Sequence, residues 1–110
     1  SWRWTGKYVH KDGYVRLAKS SEFHQSVRFE HLVVMIEWML EADPCNPFLI
    51  VVDGRHRLRM GVVVHHIDRN RSNNARSNLL AVVKAAHQQI HSCGKKPEPW
   101  ECWPSNPPAW

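Results

Sequence analysis

No unbroken apolar run in this 110-residue chain exceeds five residues; Leu32–Ile36 and Phe48–Val52 are examples. A bilayer-spanning helix needs about 20. The opening residues, Ser1 to His10, mix Trp with Lys and Arg and contain no secretory apolar segment. A soluble protein is expected. The chain opens on Ser1 and not Met, as expected of a processed product or an excerpt of something longer. Cysteine is scarce: Cys45, Cys93 and Cys102 form no C-x-x-C pair. This excludes a Cys-based zinc knuckle within the chain, makes a disulfide framework unexpected and favours a reducing compartment. Acidic residues are nearly missing from one stretch. Between Asp53 and Lys96 there are two (53, 68) against nine Lys/Arg, a local charge of +7, whereas the rest carries six Lys/Arg against eight acids, or −2.

What is present is a globular composition, with 43% hydrophobic and 23% charged residues, enough for one modest core. The one-sided basic stretch suits either a polyanionic partner or a solvated basic surface. Eight histidines are the more telling count.

Along the chain, Lys7–His10 and Tyr14–Leu17 flank Lys11-Asp12-Gly13, a hairpin signal. Residues 28–42 read as the principal helix. Phe29, Leu32, Val33, Ile36, Met39 and Leu40 follow the helical period, and Glu30, Glu37 and Glu41 form a narrow polar stripe. Most of this helix should be buried, with Asp43-Pro44 ending it. Phe48–Val52, the turn Asp53-Gly54 and Arg55–Met60 suggest a hairpin, and Gly61–Ile67 a further strand. A polar loop over 68–77 leads to the short apolar run Asn78–Val82. A short helix is expected over 83–91, with Gly94 beyond its end. The tail from Lys95 holds five of the seven prolines and three of the six tryptophans, which forbids helix and favours extended structure.

The chemistry concentrates in His65-His66, Asn78-Leu79-Leu80 and His87-x-x-x-His91. His87 and His91 stand one helical turn apart on one face, a spacing that offers two imidazoles to one metal. At a strand end entering a loop, one residue of the His65-His66 pair can ligate while the other stays free. Three neutral imidazoles with an open position suit zinc, nickel or manganese. A free imidazole has a pKa suited to activating water for phosphodiester cleavage. Taken singly, an HxxxH pair, a His-His dipeptide and a loop-ending Asn are each common without function.

Together these residues resemble the HNH endonucleases, whose core is the ββα-metal fold. The resemblance covers residues 61–91 and extends upstream through Asp12-Gly13-Tyr14-Val15 and Glu30-His31-Leu32-Val33-Val34-Met35, similar to segments of phage-type HNH proteins. It implies an α+β fold: a ββα core at about 61–92, an N-terminal hairpin and one longer buried helix. The domain would span 1–92, with 93–110 as a Pro/Trp-rich tail and 48–60 as an added hairpin. It also implies His66 as general base, His65 and His87 as metal ligands, and Asn78 holding the base imidazole by a hydrogen bond. His91 is a ligand only in subgroups with a second helical His, such as colicin-type DNases. The partner would be DNA and the cofactor one divalent ion (Zn, Mn, Ni or Mg), with a cytoplasmic setting in a bacterium or phage-infected host.

Two departures stand out. Val83 and Ala86 replace the Cys pair that many members use for a structural zinc, so any metal should be catalytic. The first ligand is His where Asp is commoner, which weakens the case for magnesium. Arg69, Arg71 and Arg76 in the loop, Arg55, Arg57 and Arg59 alternating along one strand face, and Lys84 are the candidate DNA contacts; solvated charge is the competing reading for each. Asp68 reads as a loop cap, Asn70, Asn73 and Asn74 as satisfying loop backbone groups, and His31 as structural. Metal affinity should fall below about pH 6.5, where imidazoles protonate. The competing functions are a non-catalytic HNH-like module that binds metal and DNA, and a structural His-metal protein.

Overall fold

The computed structural model describes residues 6–9, 13–18 and 29–105. The turn expected at Lys11-Asp12, the start of the helix at Arg28, and Trp110 lie outside them. Strands β1 (Gly6–Val9) and β2 (Val15–Ala18) pair antiparallel, Val9 opposite Val15. Helix α1 (Glu30–Ala42) follows, then the antiparallel hairpin β3 (Leu49–Val52) and β4 (Arg55–Leu58). The core is β5 (Val62–His66), β6 (Leu79–Val83) and α2 (Lys84–Cys93), with β7 (Cys102–Trp103) added at the edge. The order in this sheet is β5-β6-β7, all antiparallel. The fold is α+β with a ββα core.

The sheet is buried on both faces because its apolar residues are continuous rather than alternating. Along β6, Leu79 and Ala81 pack toward α1 with Val33, Met35, Ile36 and Met39. The intervening Leu80 and Val82 pack with Ile90 of α2 and with Cys102. The period of two along a strand divides these residues between two helices. The same alternation runs through β5, where Val62 and Val64 join the α1 cluster and Val63 the α2 cluster. It carries into His65 and His66 at the strand's end.

Three local devices hold the frame. The Lys84 amide donates to Gly61 O at 2.8 Å, so α2 starts beside the residue that precedes β5. Gly94 closes α2 in the left-handed region at φ 66, its amide donating to Ile90 O at 3.0 Å. That conformation strains any residue with a Cβ. Asn46, buried between α1 and β3, accepts the Phe48 amide at 2.8 Å and donates to Asp43 O at 2.9 Å.

The tail differs from a separate appendage. Residues 102–103 are a strand of the central sheet, Val82 opposite Cys102. Trp103 packs edge-on to Trp38 of α1, with centroids 5.0 Å apart, and its indole N–H donates to Asp43. Apolar burial against two helices thus holds residues 102–103 on the core. The polar stripe of α1 is also not simply solvated. Glu30 and Glu41 meet the 68–77 loop through Asn74 and Arg76.

Candidate metal centre and its cavity

His65 closes β5 on the α2 side, where His87 and His91 project one turn apart. Each of the three offers a ring nitrogen, and these atoms lie within 4.8 Å of one another. His87 Nε2 and His91 Nε2 are 3.0 Å apart, and the ring of His65 stands 5.3 Å and 5.2 Å from theirs. A tetrahedral zinc with bonds of about 2.0–2.1 Å separates its ligand nitrogens by roughly 3.3 Å. These donors fit such an ion with small side-chain adjustments. The all-nitrogen set favours a borderline metal over magnesium, which prefers oxygen.

Electrostatics prepare the group for ligation. Burial, reinforced by His87, His91, Arg69 and His66, pushes the His65 pKa down to about 4. Burial, then His91, lowers that of His87. Ligation requires neutral imidazole, and His65 remains neutral well below pH 6.5.

His66 leaves the strand on the opposite face, yet both histidines open on one cavity of about 300 Å³ because the strand ends there. Tyr14, Val64, Arg69, Arg71, His87 and His91 complete its lining. His66 Nε2 lies 2.7 Å from Asn74 Oδ1. Asn74 Nδ2 in turn donates to Glu30 Oε1 at 2.9 Å. The His66 ring also stands 5.2 Å from that of His31 and 6.0 Å from that of Tyr14.

The hydrogen bond expected from Asn78 to His66 is made differently. Buried Asn78 accepts the Asp68 amide at 2.9 Å and donates to Asp68 Oδ1 and Asn73 O at 2.9 and 2.8 Å. Its amide is spent on closing the loop after His66, and Asn74 is the residue that reaches the imidazole. Asp68 caps that loop, accepting from the Asn70 amide and Asn73 Nδ2. These bonds hold its carboxyl below the ordinary range, the Asn73 bond foremost.

The candidate DNA contacts separate. Arg69 and Arg71 line the cavity, and the Arg71 guanidinium sits 5.1 Å above the Tyr14 ring. Arg76 instead forms a two-pronged pair with Glu41, at 2.8 and 3.1 Å. Arg55 and Arg57 share one face of their hairpin, opposite Val52 and Ile50. Arg59 lies past the strand, over the Phe48 ring at 5.3 Å. Lys84 is exposed at the start of α2. None of these last four lines the cavity.

Glu30, His31 and Asn74 were not legible as site residues. Asn74 is one of three loop asparagines, and its partner Glu30 lies 44 positions away. His31 carries a buried Nδ1 without a hydrogen-bond partner among the described residues. Burial, then His66, pushes its pKa down to about 4 against the opposing pull of Glu30.

Residues 57–89 match the family model of the HNH endonucleases. Searches of curated proteins and of solved structures find no match to this chain. The matched segment spans β5, the 68–77 loop, β6 and the first turns of α2, with His65, His66, Asn78 and His87 inside it. Over that segment, the chain is similar to the HNH endonucleases.

Proposed function

We propose that this protein hydrolyses phosphodiester bonds of DNA, with His66 as general base and a single divalent ion on His65, His87 and His91. One observation carries the reading: His66 and the three-imidazole group open on the same cavity, beside Arg69 and Arg71. A divalent ion, when bound, would supply positive charge to stabilise the developing negative charge of the reaction. The two arginines bind and orient the phosphate. His66 takes a proton from the attacking water, and its place at the strand end keeps it off the ligand group. Asn78 holds the loop between the two. The excess of basic charge over 53–96 supports a polyanionic substrate. No helix among the described residues is long and apolar enough to cross a membrane, and a cytoplasmic setting is part of this reading.

The test is nicking of supercoiled plasmid by metal-stripped protein with Zn, Mn, Ni or Mg restored, beside His66→Ala. Loss of a general base costs about 10²–10⁴-fold. A His66→Ala protein that nicks as fast as wild type refutes the assignment. Plasmid binding without cleavage under any metal would replace it with a non-catalytic DNA-binding module.

A further inference from the structure

We propose that Glu30 and Asn74 form a polarity relay that fixes the neutral His66 imidazole, a residue lining the cavity, with its proton on Nε2 and its Nδ1 as the acceptor. The inference deepens the proposed role of His66 and rests on that reading only for its catalytic consequence. An ionised carboxylate accepts hydrogen bonds and cannot donate. Glu30 Oε1, 2.9 Å from Asn74, therefore takes the NH₂ end of that amide. The amide is planar, so its oxygen is turned the other way, onto His66 Nε2 at 2.7 Å. An amide oxygen only accepts, so Nε2 must carry the proton and Nδ1 is left with its lone pair.

The relay ties the site to α1. Glu30 is the first residue of that helix, anchored by Val33 and Ile36 in the core, while Asn74 stands in the loop closed by Asn78 and Asp68. The imidazole orientation is thus anchored at Glu30, outside the matched segment 57–89, through Asn74 within it. Glu30 and Asn74 are positioning residues: neither lines the cavity, and each acts through His66.

The experiment is ¹⁵N NMR of the metal-free full chain at about pH 8, above the ordinary imidazole pKa of about 6.5. In wild type the unprotonated ¹⁵N resonance of His66 should be Nδ1. In Glu30→Gln the new side-chain amide can donate as well as accept. Asn74 is then free to flip, and the His66 signals should shift toward a mixture of both tautomers. Nicking should fall about tenfold, the scale of losing a group that orients a functional histidine. The double variant Glu30→Gln, Asn74→Asp restores the polarity with the donor on the other side. The amide introduced at position 30 donates to the carboxylate introduced at position 74, and that carboxylate accepts from His66 Nε2. The double variant should recover the wild-type tautomer and at least part of the rate, which a merely structural role for either residue would not produce. A wild-type His66 protonated on Nδ1, or a folded Glu30→Gln protein with unchanged tautomer and rate, overturns the relay. If His66→Ala nicks at the wild-type rate while the tautomer shifts appear as stated, the general-base assignment fails and the relay stands.

Discussion

Acidification of the metal-free protein should weaken it in part through His31. The ring is packed against Tyr14, Phe29 and His66 at 5.2, 5.4 and 5.2 Å, and its Nδ1 has no hydrogen-bond partner among the described residues. A charge there is disfavoured by burial first and by His66 second, which takes its pKa from 6.5 to about 4. The unfolded chain binds this proton near pH 6.5, but the folded protein refuses it until about pH 4. The stabilisation is therefore complete above about pH 6.5 and is lost as pH falls toward 4. A shift of about 2.5 units, at about 1.36 kcal/mol each, makes the full loss on the order of 3 kcal/mol. By about pH 5 roughly 2 kcal/mol of it should be gone. That is a large part of the 5–15 kcal/mol typical of a domain. Urea unfolding at about pH 7.5 and pH 5 reads it as a midpoint lowered by roughly 1–2 M. His31→Leu keeps an apolar side chain in the space and removes the titration. It should stay folded and lose about 2 kcal/mol less than wild type over the same interval. His65, also near 4, leaves a residual slope in the variant. Equal pH slopes for wild type and His31→Leu would refute the reasoning.

Zinc or nickel at about 100 times its Kd should add about 2.7 kcal/mol and raise the melting temperature by about 10 °C or more. Chelator should reverse the gain and His87→Ala should abolish it, as read by thermal melts. Salt dependence of plasmid binding should separate the arginines. Arg69→Ala and Arg71→Ala should each reduce the slope of log K against log salt by about 1, and Arg76→Ala, engaged with Glu41, by clearly less. Arg76→Ala itself should cost under about 1 kcal/mol of stability, since both partners of its ion pair are well exposed. Asn78→Ala removes three hydrogen bonds that close the loop after His66, and denaturant unfolding should register a loss of about 2–3 kcal/mol.

Sequence alone determined the local chemistry of this protein. Periodicity placed α1, the strand into His65-His66, the apolar run after Asn78 and the helix carrying His87 and His91, because those patterns reflect burial on one or two faces of a single element. The i, i+4 spacing put two imidazoles on one face before any packing was known. The HNH resemblance supplied the meaning of that order. Tertiary structure decided what spacing cannot encode. The ending of β5 at the loop brings His65 and His66, which point to opposite faces, onto one cavity. Asn78 and Asn74 were indistinguishable as loop asparagines, and only the path of the 68–77 loop gives Asp68 to the first and His66 to the second. Arg69, Arg71 and Arg76 read alike until α1 came alongside and Glu41 claimed Arg76. The tail after residue 92 reads as extended by composition, but its strand exists because β6 had an unpaired edge and Trp38 an open flank. In each case the deciding partner is far along the chain, and it is the closing of the core around β6 that brings the two together.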